Sequence, residues 1–189
     1  MTPESSGPIP LAQDGLPSWA IVTPDRRAHV ERVAALLRHW ATALDLDRSE
    51  RDRWLRACYL HDARRDAPEA ELRRGAPRSE GPVELRHGPA AAARAELEGE
   101  RDADVLSAVR WHSVGWVGWG PTGRALYCAD FLEPGRAFDR AERADLARSF
   151  PDAPAQVLRE VVTRRLTYAE KQGWVLPPES LDFRAVVCS

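Results

Sequence analysis

Residues 23–44 read TPDRRAHVERVAALLRHWATAL, and their pattern decides the class of fold. Val30, Val33, Ala34, Leu37, Trp40, Ala41 and Leu44 recur at steps of three and four, which gathers them on one face of an α-helix. The start is marked by Thr23 as a capping hydroxyl, Pro24 at the first helical position and then the acid Asp25. A long helix with one apolar stripe must bury that stripe against other elements.

The rest of the chain supplies further helices. One begins near Asp47 or Ser49 and carries Trp54, Leu55, Cys58, Tyr59 and Leu60 into His61-Asp62. Pro68 and Gly75 bracket a short helix, and Pro77 to Pro82 read as a loop. His87-Gly88-Pro89 opens an alanine-rich helix that runs to Leu97 and ends near Gly99. Asp102 caps another, with Val105, Leu106 and Val109 leading to Trp111 and His112, and the loop Gly115-Trp116-Val117-Gly118-Trp119-Gly120 follows. Three more helices are expected at about 122–132, 139–149 and 153–172, the last stopped by Gly173. No alternating strand pattern and no internal repeat occur, so an all-α, compact multi-helix bundle is predicted. Residues 1–22, rich in Pro, Ser and Gly, read as an N-terminal leader whose Trp19, Ala20 and Ile21 can dock on the domain. Residues 176–189 read as a tail packing on it.

Composition narrows the function. With 189 residues, 43% hydrophobic and 30% charged, the chain suits one globular domain rather than wholesale disorder. Its 27 basic and 29 acidic residues leave a net charge of −2, which offers no footprint for nucleic acid or an acidic membrane. No apolar run approaches the roughly 18 residues a membrane span requires, and Met1–Gln13 lacks the cationic start and apolar stretch of a signal peptide. A cytoplasmic location is therefore expected. The cysteines Cys58, Cys128 and Cys188 are odd in number and far apart, so neither a disulfide framework nor a zinc ribbon is supported. Cys58 and Cys128 read as small core residues.

Chemistry concentrates in His29, His61, His87 and His112, near element boundaries, with Asp62 and Asp130 beside them. Their separations preclude a local i,i+4 clamp, so a site requires several helices to contribute one or two ligands each. Imidazole and carboxylate without thiolate suit iron, manganese, cobalt, nickel or zinc rather than a calcium cage. Six ligands exceed what one catalytic ion with open positions can use. They suit two ions with one bridging aspartate, an arrangement that clamps a phosphoryl group. The competing reading of any one of these residues is an ordinary surface or hydrogen-bonded side chain. His39, beside Trp40, is read that way.

Order and context weigh against accident. Arg26-Arg27-Ala28-His29-Val30, Tyr59-Leu60-His61-Asp62-Ala63-Arg64-Arg65-Asp66, Leu85-Arg86-His87-Gly88-Pro89-Ala90-Ala91, Val109-Arg110-Trp111-His112-Ser113-Val114-Gly115 and Leu126-Tyr127-Cys128-Ala129-Asp130-Phe131-Leu132-Glu133-Pro134-Gly135-Arg136 follow one another. Together they resemble the HD-domain phosphohydrolase superfamily, in its YqeK-like branch of symmetrical diadenosine tetraphosphate hydrolases. The likeness runs from about residue 24 to 175, making 23–175 the expected HD domain. It implies a di-metal centre in which His29, His61, Asp62 and Asp130 hold one ion and His87 and His112 the other, with Asp62 bridging. Iron is the implied metal, with manganese, cobalt, nickel or magnesium as alternatives. The implied reaction is hydrolysis of diadenosine tetraphosphate to two ADP by a metal-bound hydroxide.

In that scheme Asp62 and His61 carry the catalysis, while Arg65 and Arg136 neutralise phosphate, with Arg26 a weaker candidate. Trp116 and Trp119 read either as a lid whose indoles stack on a nucleobase or as a cluster packed under the loop. Three positions depart from the family pattern: Arg65 replaces a lysine, Val114 a threonine and Trp119 a methionine. These leave the ligand set intact and bear on substrate choice. The expected partner is thus a nucleotide or dinucleoside polyphosphate, without nucleic acid or membrane, and with a homodimer left open. The rival reading on the same fold is a nucleotidase or phosphatase acting on nucleoside mono-, di- or triphosphates. A non-catalytic nucleotide-binding module is a third reading.

Overall fold

The computed structural model describes residues 15–79 and 81–189. Among them are nine α-helices and no strand. They are α1 (Pro24–Ala43), α2 (Arg48–His61), α3 (Glu69–Gly75), α4 (His87–Leu97), α5 (Ala103–Trp111), α6 (Pro121–Leu132), α7 (Arg140–Ser149), α8 (Pro154–Lys171) and α9 (Pro178–Val187). The expected all-α bundle is therefore what the chain forms. None of these helices is long and apolar enough to cross a membrane.

Local chemistry sets several helix starts. Thr23, Asp47 and Asp102 each accept a backbone N–H of the first turn through the side chain, satisfying donors that the helix leaves open. Thr23 also donates its Oγ1 hydrogen to Asp66 Oδ2 at 2.9 Å, tying the start of α1 to the segment after α2. Of the stripe read in α1, Val30, Val33, Ala34, Leu37, Trp40 and Ala41 are buried and Leu44, at the C-cap, is half-buried; His29 is buried with them. Trp40 stacks on Phe150 with ring centroids 3.8 Å apart and donates its Nε1 hydrogen to the Ala147 carbonyl at 2.8 Å. His39 is exposed on the opposite face. Cys58 and Cys128 are buried in the main core.

Helices α1, α2, α5 and α6 pack on one another as the centre of the bundle. The α3–α4 pair lies on one flank against α5 and α2, and α7, α8 and α9 form the other against α6 and each other. A smaller apolar cluster of Ala67, Leu72, Ala76 and Ala90 sits under α3 and α4.

Among the described residues both chain ends pack on the bundle, and the C-terminal one holds a helix within the segment read as a tail. Residues 1–14 of the expected leader lie outside the described residues. Residues 15–22 pack on the bundle: Leu16 is buried, Trp19, Ala20 and Val22 rest on the core, and Ile21 exchanges backbone hydrogen bonds with Ala63 and Asp66. The segment read as a C-terminal tail contains α9, whose Phe183 is 1% exposed. It packs edge-on against Trp119 and Tyr127. Gly115, with φ of +91°, makes room for it, since a Cβ there would lie 2.3 Å from the Phe183 ring.

Candidate metal centre

Three of the four site histidines are presented in nearly the same way. His61 ends α2, His87 begins α4 and His112 caps the C-terminus of α5. In each, Nδ1 donates to the carbonyl three residues earlier: Cys58 at 2.5 Å, Glu84 at 2.5 Å and Val109 at 2.8 Å. Those bonds fix the tautomer and leave Nε2 with its lone pair turned inward. A short 3-10 turn, Val83–Leu85, exists just before α4 and supplies the Glu84 carbonyl. His29, in α1, has Nδ1 3.2 Å from the Glu133 carboxylate instead.

Gly88 explains how α4 and α5 bring His87 and His112 together. A Cβ at this position would lie 2.9 Å from the carbonyl oxygens of both Val109 and Arg110. Only glycine permits so close an approach, and it leaves the two Nε2 atoms 3.0 Å apart. His61 and Asp62 are sequence neighbours that a continuing helix would splay by about 100°. The helix stops between them, with Asp62 at φ −106° and ψ 10°, and both side chains face one centre.

Asp62 divides the histidines between its two oxygens. Oδ2 lies 3.7 Å from His29 Nε2 and 3.6 Å from His61 Nε2, while Oδ1 lies 3.2 Å from His87 Nε2 and 3.4 Å from His112 Nε2. Asp130, from α6, comes within 3.1 Å of His29 Nε2. The potential ligand atoms of His29, His61 and Asp130 lie within 4.8 Å of one another, as do those of His61, Asp62 and His112. All six residues singled out in the sequence are buried and converge.

The donor set fits a pair of cations. His61 Nε2 is fully buried and has no hydrogen-bond partner among the described residues, and His29 Nε2 makes no well-angled hydrogen bond. Unsatisfied buried nitrogens facing carboxylates are costly unless a cation takes their lone pairs. Burial holds His61 down at about 4 and also lowers His87, which favours the neutral imidazoles that could serve as ligands. Burial acts to raise Asp62, but His61, His112 and His87 outweigh it and keep the carboxyl well below its usual range. Asp130 is likewise held low against burial, by Arg136, His29 and Arg165. Burial alone would lower His29, yet Asp130 and Glu133 carry it up to about 9. A cation taking Nε2 would displace that proton.

The candidate cations are distributed unevenly. Arg26 reaches Asp62 Oδ2 at 2.8 Å, closer to the site than the sequence suggested. Arg136 donates to Asp130 Oδ1 at 2.8 Å and to the Asp130 carbonyl. Arg65 bonds the Glu84 carbonyl at 3.2 Å, beneath His87. Of the two readings of the tryptophan pair, Trp119 takes the packed one. Trp119 is 4% exposed, packed between Tyr127 and Phe183, so its faces are closed to a nucleobase. Gly123 would clash with it if given a Cβ, at 2.4 Å. Trp116 is half-buried and stacks at 5.0 Å on Trp111. The glycine-punctuated loop folds its indoles inward because burying two such rings offers more than leaving them in water.

Sequence reasoning missed three supports. Glu133 is 2% exposed and holds His29, Arg32 at 2.5 Å and the Gly135 N–H at 2.6 Å. Burial would raise its carboxyl, but these partners pull it down to about 2. Its position three residues past Asp130, just before Pro134-Gly135, was the available signal. Arg143, in α7, is 2% exposed and donates to the carbonyls of Phe131, Glu133, Arg136 and Phe138, pinning the loop that carries Glu133 and Arg136. Arg165, from α8, donates to Asp130 Oδ2 at 3.2 Å. Neither arginine had a local signal. Glu133→Gln keeps the shape and removes the charge behind His29. Competition with a chelating dye should show metal affinity about 10–100-fold weaker, with an unchanged helical signal.

Comparison with known proteins adds a family context. A family model described as HD domain matches residues 26–147. A symmetrical bis(5'-nucleosyl)-tetraphosphatase of Bacillus subtilis (strain 168) is 33% identical over 90 residues, covering 43% of this chain and 48% of that protein. The like-named protein of Staphylococcus aureus (strain NCTC 8325 / PS 47) is 41% identical over 54 residues, 28% of each chain. The matches thus span half or less of these curated relatives' length. A Clostridium acetobutylicum structure, described as a predicted HD superfamily hydrolase involved in NAD metabolism, superposes with a TM-score of 0.76. It is 21% identical, over 88% of this chain and 90% of that one, and so speaks to fold alone.

Proposed function

The chain belongs to the HD-domain family, and on that premise we propose that it is a metal-dependent phosphohydrolase that cleaves diadenosine tetraphosphate symmetrically to two ADP. The observation that carries the reading is the division of Asp62, one oxygen facing His29 and His61 and the other facing His87 and His112. A carboxylate so placed suits a bridge between two ions. The names of the partial-length relatives support the choice of substrate.

His29, His61, Asp62 and Asp130 would hold one ion and His87, His112 and Asp62 the other. When bound, two such ions supply Lewis acidity toward phosphate and an activated water at neutral pH. Iron is the proposed metal, with manganese, cobalt, nickel or magnesium as substitutes. The protein contributes position and charge. Neutral His61 and His87 keep their lone pairs toward the centre because Nδ1 is committed to backbone. Arg136, on Asp130, and Arg26, on Asp62, are each part-exposed, so their remaining N–H groups can face an incoming polyphosphate. Arg65 offers a third cation on the His87 side. A leaving ADP neutralised in this way needs no strong general acid.

A substrate panel tests the reading. Protein purified without chelator is expected to contain about two ions per chain, to release two ADP from diadenosine tetraphosphate, and to lose turnover on chelation. Phosphate or pyrophosphate released from mononucleotides, with the dinucleotide untouched, would instead favour a nucleotidase. Metal binding without any turnover would favour a nucleotide-binding module.

A further inference from the structure

Ser113 follows His112 in the turn that closes α5, and its side chain has no part in the site described so far. Its Oγ lies 3.1 Å from His112 Nε2 and 3.3 Å from His87 Nε2, its hydrogen-bond partners among the described residues. The backbone of this turn is held from the other side of the site. Arg165 Nη2 donates to the Ser113 carbonyl at 3.3 Å, while its Nη1 reaches Asp130 and its guanidinium lies 4.2 Å from the Tyr127 ring centre. The hydroxyl is therefore fixed beside the two nitrogens that face Asp62 Oδ1.

An imidazole that gives its Nε2 lone pair to a cation has none left to accept from a hydroxyl. Ser113 then retains an O–H without an acceptor, directed into a centre whose incoming group is anionic. A neutral hydroxyl is a weak ligand beside imidazole and carboxylate, but a hydrogen bond from it to a phosphate oxygen is charge-assisted. We propose that Ser113 donates a hydrogen bond to a phosphoryl oxygen of the substrate on the His87–His112 half of the site, and so helps fix which phosphorus is attacked. The proton stays on the serine throughout. This role rests on the phosphohydrolase reading of the site.

The test compares wild type, Ser113→Ala and Ser113→Thr, all loaded with manganese. Metal content is measured by elemental analysis, inorganic phosphate binding by calorimetry, and turnover on whichever panel substrate the wild type cleaves. The alanine protein is expected to keep its metal content, bind phosphate about tenfold more weakly and lose about 10²-fold in kcat. Threonine, which restores the hydroxyl, should recover both to within a few-fold. Phosphate affinity and kcat equal to wild type in Ser113→Ala would overturn the proposal. So would the loss of one ion per chain in that variant, which would make the hydroxyl a support of the metal. Phosphate titration needs no turnover. A wild type inactive on the whole panel would therefore count against the reaction assigned above, while the alanine–wild type difference in phosphate affinity still decides the role of Ser113.

Discussion

Asp62→Ala is expected to abolish both metal retention and hydrolysis, with activity down by roughly 10³-fold or more, while the far-ultraviolet helical signal largely persists. Among the described residues, Asp62 is the one carboxylate within reach of all four imidazoles, at 3.2 to 3.7 Å, and it draws on both halves of the site. Removing it leaves the His87–His112 half with imidazoles alone and the other half with Asp130 as its one carboxylate, too little charge to hold the pair of cations. His61→Ala should behave similarly, since His61 belongs to both ligand groupings. The fold should survive because the helices are joined by apolar packing that neither side chain supplies. Elemental analysis, circular dichroism and product chromatography on the same preparations check each part. Turnover retained by both variants in metal-replete buffer would overturn the mechanism.

Trp119→Ala, by contrast, should strike stability and leave substrate recognition alone. The indole fills the space between Tyr127 and Phe183, with the Gly123 backbone against its ring. Truncating a buried tryptophan costs about 3–5 kcal/mol, which lowers the melting temperature of a chain this size by roughly 10 °C. At temperatures where the variant remains folded, the Michaelis constants for adenine and non-adenine substrates should match wild type. Trp119→Phe refines the point. The buried Nε1 of Trp119 has no hydrogen-bond partner among the described residues. Phenylalanine removes that unmet donor while keeping most of the packing, so it should cost much less than alanine. A base-selective rise in the Michaelis constant for either variant would restore the lid reading.

Much of the architecture was legible because helices are specified locally. A capping side chain followed by apolar residues at three- and four-residue steps marks a helix wherever it lies: Thr23 and Asp102 cap as read, and Asp47 is the cap of the two starts, Asp47 and Ser49, that the second helix offered. The six candidate ligands were legible through ordered motifs, of which His87-Gly88-Pro89 now has a physical reason in the contact of Gly88 with α5. The C-terminal helix was harder to see. Pro178–Val187 has few apolar residues in a clear stripe, and Phe183 finds its partners in a loop and a helix far back along the chain.

What eluded the sequence shares one property: its meaning lies in a partner remote along the chain. Glu133 matters through His29, 104 residues earlier, and Arg165 through Ser113 and Asp130. Trp119 looked equally suited to a lid or a core until Phe183 covered it. Residue types and local spacing could name the helices and the groups able to bind a metal. Packing alone chose which oxygen of Asp62 meets which histidine, because that depends on how separate helices approach and no local pattern encodes such an approach.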